Sequence, residues 1–190
     1  MRLPPHAWLL MLAALQLLQG CAALAVGGIA GAVVISQDRR TVGTITEDTG
    51  IEVKAVSRIG QKLKEGAHVN ASSFNRMLLL TGEVPDAAAR EEAENIARGV
   101  ENVRGVYNEL AVSGVSSYTV RSNDTLITSK VKARFLDSRK FNGAHVKVVT
   151  ENSMVYLMGL VNKEEANDAT EIARTTSGVQ KVVRVFEYTD

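Results

Sequence analysis

Gly66-Ala67-His68-Val69 returns as Gly143-Ala144-His145-Val146, and the register holds on both sides of the string. Met77-Leu78-Leu79-Leu80-Thr81-Gly82-Glu83-Val84 lies over Met154-Val155-Tyr156-Leu157-Met158-Gly159-Leu160-Val161. After the loss of one residue, Ile96-Ala97-Arg98 lies over Ile172-Ala173-Arg174, and Val103 and Val106 lie over Val179 and Val182. The chain therefore holds two copies of one unit, each roughly 65 to 70 residues long, and a repeat of that length is a structural unit.

Each copy has the same grammar. A first helix carries apolar residues three and four apart: Ile51, Ala55, Val56, Ile59 and Leu63 in one copy, and Ile127, Val131, Phe135 and Leu136 in the other. Asp124 fits the N-cap or first turn of the second copy's helix. Strands are expected at 68–71 and 144–150, polar turns at 73–76 and 151–153, and second strands at 77–84 and 154–161. Gly82 and Gly159 inside those strands indicate a bulge or a close backbone approach. Helices follow at 85–99, with Pro85 suited to the first turn, and at 163–176. Strands at 103–112 and 179–188 close the units. The order αββαβ implies an α+β fold, with a three-stranded sheet and both helices on one face.

Composition narrows the function. Among 190 residues, 22 Lys+Arg face 21 Asp+Glu, which excludes a strongly basic nucleic-acid binder. A single Cys excludes an internal disulfide framework and a multi-Cys zinc site. Residues 1–20 have the anatomy of a secretory signal, with Arg2 before an apolar run. That run ends in Leu17-Leu18-Gln19-Gly20-Cys21, which resembles the lipobox of bacterial lipoproteins. The lipobox implies a covalent lipid on Cys21 and cleavage before it, and the residues call for no other cofactor. Two or more acyl chains suffice for stable anchoring. Ala22 after the cysteine implies, by the same resemblance, export to the outer membrane, facing the periplasm.

The repeat resembles the BON domain, on the glycines Gly82 and Gly159 and the closing segment Gly178-Val179-Gln180-Lys181-Val182. The first copy departs at Asn102, where the second has Gly178. A lipobox followed by two such units, with Asp38-Arg39-Arg40-Thr41-Val42-Gly43-Thr44 between, is similar to the dual-BON outer-membrane lipoproteins of Gram-negative bacteria. The strings 106–109 and 122–125 carry the likeness further. The resemblance divides the chain into a signal peptide at 1–20, a lipidated tether at 21–45, BON domains at 46–112 and 122–190, and a linker at 113–121. It implies a non-enzymatic protein that binds an anionic phospholipid such as phosphatidylglycerol through its second BON domain. It also implies a place at the division site, in envelope integrity and the control of septal peptidoglycan cleavage.

The residues give that implication a location. Residues 46–112 carry net −3 and residues 121–190 carry net +2. On a helix drawn from 124 to 140, Leu126, Ser129, Lys130, Ala133, Leu136 and Lys140 share a face away from Ile127, Val131 and Phe135. Aliphatic groups flanked by cations suit an anionic lipid surface. A member of the resembled family has Trp where this chain has Leu126, and Trp is the stronger interfacial residue. Two other readings stay open: the lysines are a solvated face, or the two leucines pack on the first unit or the linker. A different function class, an envelope scaffold, would use the same surface to bind a peptidoglycan-amidase activator or an outer-membrane assembly factor.

No catalytic constellation is legible. His68 and His145 fall at equivalent positions, their spacing makes no metal motif and no third ligand accompanies them, so both are expected to be structural, with no metal. No phosphate loop, nucleophile elbow or base-stacking aromatic series is present, and nucleic acid is not an expected partner. The acidic first unit and the basic second are expected to touch across their short linker.

Overall fold

The computed structural model describes residues 38–63 and 66–190. The expected signal sequence, Cys21 and most of the expected tether lie outside the described residues. Among the described residues, no helix is long and apolar enough to cross a membrane.

The first unit runs α1 (Val42–Leu63), β1 (His68–Phe74), β2 (Met77–Val84), α2 (Ala87–Arg98), β3 (Gly105–Asn108) and β4 (Ala111–Val112). The second runs α3 (Tyr118–Asp137), a 3-10 turn (Gly143–His145), β5 (Val146–Glu151), β6 (Met154–Val161), α4 (Lys163–Arg174) and β7 (Lys181–Tyr188). In each sheet the hairpin is antiparallel and the last strand returns parallel to the middle one. The α+β architecture and the αββαβ order are as the repeat implies.

The helices cover one sheet face in each unit. Ile51, Ala55 and Ile59 of α1 pack with Leu78, Leu80 and Val84 of β2 and with Ala93 and Ala97 of α2. Ile127, Val131 and Phe135 of α3 pack likewise with Val155, Leu157, Ala166, Ala169 and Ala173. Alanines on the second helices let each helix lie close to its sheet. Asp86 caps α2, so Pro85 stands outside the helix rather than in its first turn. Asn162 and Glu165 form a capping box on α4, satisfying two otherwise orphaned donors.

The glycines in the middle strands serve a close approach. A Cβ on Gly82 would lie 2.0 Å from the His68 carbonyl oxygen, and one on Gly159 would lie 2.4 Å from that of His145. The paired histidine positions thus reflect one backbone contact used twice. Gly82 also sits at φ +110, and opposite it the closing strand is interrupted between β3 and β4. The expected continuous strand 103–112 is therefore split. Around Gly159 the ladder to β7 runs unbroken.

Both hairpins turn on two residues with positive φ, Asn75-Arg76 and Asn152-Ser153, the conformation that matches strand twist in a two-residue turn. A buried aspartate clamps each turn. Asp124 accepts from the Asn152 and Ser153 amides at 2.9 and 2.8 Å. Asp48 accepts from the Asn75 and Arg76 amides at 2.9 and 2.7 Å and from the Ser73 hydroxyl at 2.6 Å. Asp124 is therefore not an N-cap. Ser117 caps α3, and Asp124 lies two turns inside it.

The uncovered faces of the two sheets meet. Phe74 and Leu79 of the first unit form a third apolar cluster with Tyr156, Met158 and Val185 of the second. Polar contacts frame it: Lys147 pairs with Glu52, and Arg104 pairs with Glu187 at 2.9 Å. The expected contact exists as an apolar cluster with polar contacts around it, and the ion pairs run in both directions.

Candidate functional site

α3 starts at Tyr118, earlier than the sequence pattern placed it, and its sides divide cleanly. Asp124, Ile127, Val131 and Phe135 are buried. On the opposite side, Leu126 is 60% exposed, Leu136 78% and Tyr118 83%. Ser129, Lys130 and Ala133 are exposed between them. At ~100° per residue, Tyr118 and Leu136 fall on one line, ~27 Å apart along the axis. Leu126 and Leu136 therefore pack on neither the first unit nor the linker. Lys140 does not belong to this face. The helix ends at Asp137, and Lys140 turns back to pair with Asp168 of α4 at 3.0 Å.

Lys130 and Lys132 flank the stripe, and neither forms an ion pair among the described residues. Lys130 borders a shallow hollow with Ala133, Arg134, Thr175, Thr176 and Ser177. Arg134 is occupied in tying the helix down: it donates to the Ile172 carbonyl at 2.7 Å and to Thr176 Oγ1 at 2.8 Å. Lys132 faces a cleft of about 460 Å³ between the units, lined also by His68, Asn70, Arg121 and Glu151.

Behind that cleft the seam is polar and closed. Glu83 is 1% exposed and accepts from Asn152 Nδ2 at 2.7 Å. Burial pushes its carboxyl up, but the hydrogen bond from Asn152, with Ser116 and the His68 side chain close by, outweighs that and holds it below its ordinary value. Glu151, 5% exposed, accepts from Asn70 Nδ2 at 2.9 Å. Burial, joined by the charge of Glu83, raises its carboxyl above the ordinary value. Beside it the Tyr156 hydroxyl is buried without a hydrogen bond, and burial pushes it up to about 12.

Residues 38–41 form a strap that the sequence left within the tether. Arg39 makes a bidentate contact with Glu165 at 2.7 and 2.9 Å and donates to the Leu160 carbonyl at 2.7 Å. Arg40 bonds Asp48 at 2.8 Å and lies 3.8 Å from the centre of the Phe74 ring. Two adjacent arginines therefore hold the two units at the point where the chain arrives from its amino-terminal segment.

The BON-domain family model matches residues 47–114 and 123–190. The chain belongs to the BON-domain family. It is 39% identical over 183 residues to the outer membrane lipoprotein DolP of Haemophilus influenzae, covering 95% of each chain. It is 35% identical over 153 residues to a 21 kDa hemolysin of Actinobacillus pleuropneumoniae, covering 80% of this chain and 79% of that one. It is 29% identical over 152 residues to the osmotically inducible protein Y of Escherichia coli, covering 78% of this chain and 76% of that one. The two units are BON1 and BON2, and the chain groups with the dual-BON lipoproteins.

BON1 is an internal control for the surface of BON2. Where BON2 has Leu126 and Leu136, the same helical positions of BON1 hold Gly50 and Gly60. Lys54 and Lys130 also correspond. Lys54 pairs with Glu101 at 3.3 Å, and Arg58 reaches the same carboxylate at 2.9 Å. Arg58 first, with Lys54, lowers the Glu101 carboxyl to about 2. In BON2 the position of Glu101 is taken by Ser177, so Lys130 has no acid to meet. His68 and His145 differ too: the first faces Glu83 at 3.3 Å and the second Glu165 at 3.4 Å. The reading that found no third ligand for His68 followed sequence spacing, whereas the fold brings Glu83 and Glu151 to it.

Proposed function

We propose that this protein is a non-enzymatic outer-membrane lipoprotein that contributes to envelope integrity. In this reading it is anchored by lipid on Cys21, and the exposed face of BON2 α3 binds anionic phospholipid such as phosphatidylglycerol. The observation that carries the reading is the pair of exposed leucines and unpaired lysines on α3, at positions where BON1 has glycines and a neutralised lysine. Tyr118 adds an aromatic group at one end of the stripe, the kind of side chain that favours the headgroup region. It stands in for the interfacial Trp that this chain lacks at 126.

The magnitudes fit two-part attachment. Each Lys or Arg near an anionic surface contributes about 1 kcal/mol, and Lys130 and Lys132 are available. Each inserted leucine adds on the order of 1 kcal/mol or more. Intrinsic affinity of that size is weak, but an acyl anchor raises the effective concentration enough for it to act. The DolP relative, called an outer membrane lipoprotein, and the Gly20-Cys21 junction support the same location.

The test uses the compact unit Asp38–Asp190, which contains both cores and the seam. Titration with phosphatidylglycerol and phosphatidylcholine vesicles, followed by co-sedimentation and backbone amide shifts, should show salt-sensitive binding to the anionic lipid alone. The shifts should centre on 118–137 and vanish in Leu126→Asp. Equal indifference to both lipids would defeat the proposal, and capture of an envelope protein by the same face would then favour the scaffold reading.

A further inference from the structure

His68 of β1, Glu83 of β2 and Glu151 of β5 place their ligand atoms within 4.8 Å of one another across the BON1–BON2 seam. His68 Nδ1 and Glu83 Oε2 are 3.3 Å apart. Both atoms are sealed from solvent, and neither has a hydrogen bond of acceptable geometry. An unsatisfied buried charged acceptor is costly, so such an atom calls for a partner. Glu83 Oε1 is already engaged by Asn152, and the Ser116 hydroxyl beside this carboxylate is likewise without a well-formed hydrogen bond.

We propose that His68, Glu83 and Glu151 form a binding site for a divalent transition-metal ion of the zinc class, which ties BON1 to BON2. Two carboxylates and a neutral imidazole carry two negative charges, and a divalent cation cancels them. One nitrogen and two oxygens suit zinc, and suit manganese less tightly. Ligand atoms around a tetrahedral zinc stand about 3.4 Å apart, given bonds of ~2.0–2.2 Å. The His68–Glu83 separation already has that value, and Glu151 needs a side-chain movement of about an ångström.

The surroundings support the same reading. Asn70 of BON1 holds Glu151 of BON2, and Asn152 of BON2 holds Glu83 of BON1. Carboxylate ligands steadied by such amides are a recurring feature of metal sites. The cleft that His68 and Glu151 line brings solvent to the edge of the cluster, so a small side-chain movement would admit an ion and a water as fourth ligand. Arg121 and Lys132 line the same cleft and oppose a cation's approach, so affinity must come from the buried carboxylate pair. The equivalent place in the second copy cannot form the site, because Leu160 stands where BON1 has Glu83.

The experiment titrates the chelator-treated mature lipoprotein, in a non-ionic detergent, with Zn²⁺ near neutral pH. Calorimetry should give one equivalent per chain, and thermal unfolding should shift upward by several degrees, since a ligand of the native state stabilises it. His68→Asn and Glu151→Gln should each weaken binding at least about tenfold and abolish the thermal shift. His145→Asn should leave both unchanged. X-ray absorption at the zinc edge should show nitrogen and oxygen neighbours, including one imidazole. Because His68 is part-exposed, His68→Asn keeps the test valid even if Glu151→Gln perturbs folding. Absence of zinc uptake by the wild-type chain, or uptake that survives His68→Asn undiminished, overturns the proposal and leaves a shared proton as the occupant of the cluster.

Discussion

BON1 and BON2 share a fold down to individual backbone contacts, yet they face the outside differently. Both clamp a positive-φ hairpin with a buried aspartate, and both let a histidine carbonyl lie against a strand glycine. They part on the outer side of the first helix. BON1 has glycines and basic residues tied to Glu101, and BON2 has leucines and lysines left without acids. The repeated interior specifies the unit, and the surface that escaped repetition is where the proposed lipid contact lies.

The strongest way to test the shared half is to block the carbonyl approach. Gly82→Ala should cost more than ~3 kcal/mol, because the methyl meets backbone at 2.0 Å and φ is +110. Gly159→Ala, at 2.4 Å and ordinary φ, should cost less; urea unfolding of both variants ranks them. Equal costs would mean that the φ difference is unimportant. The aspartate clamps come next. Asp48→Ala removes three hairpin bonds and one of the two carboxylates that hold Arg40, the other being Asp38, for about 3–4 kcal/mol, whereas Asp124→Ala removes two amide bonds, for about 2 kcal/mol.

The divergent half can be exchanged. Leu126→Gln with Leu136→Gln should lower partition onto phosphatidylglycerol vesicles by roughly tenfold to thirtyfold. Ser177→Glu, which gives Lys130 the acid that Lys54 has, should lower it several-fold. The reverse transfer, Gly50→Leu, Gly60→Leu and Glu101→Ser, should give BON1 measurable vesicle binding. If BON1 stays inert after that exchange, Tyr118 or the seam supplies what the leucines and lysines do not.

The seam allows a finer distinction. Burial raises the Glu151 carboxyl, so the fold favours its protonated form. Its stabilising contribution is full below its ordinary 4.5 and is lost as pH rises through the raised folded value. In the presence of a chelator, Glu151→Gln should therefore be more stable than wild type at pH 8 and indistinguishable near pH 4. The smallest effect is expected at Tyr156, whose hydroxyl lacks a partner. Tyr156→Phe should be neutral or stabilising by up to ~1 kcal/mol in chemical denaturation, with no counterpart at Leu79 in BON1.

Much of the architecture was legible because it is written twice. The repeat gave the unit, its order and the bounds of β2 and β6, and helical spacing gave the exposed face of α3. What escaped has specific causes. An aspartate on an apolar stripe, at 48 and again at 124, was the available signal for the hairpin clamps, but one occurrence alone resembles a cap. The sequence pattern starts α3 late because residues 118–123 carry no apolar period, which hides Tyr118 and puts Lys140 on a helix that stops before it. Asn102 departs from the glycine of the second copy without consequence: it adopts φ +70 where Gly178 has +98, a region that asparagine tolerates.

The two units, their αββαβ order, the apolar stripe of each helix and the resemblance to an anchored lipoprotein are all readable along the chain. These follow from periodicity and local chemistry, which act over a few residues or repeat in register. That the sheets meet back to back, that Arg39 and Arg40 strap the units together, and that His68, Glu83 and Glu151 converge emerges in the folded molecule alone. Those contacts join residues tens of positions apart through the packing of two faces, and no spacing along the chain encodes which face meets which.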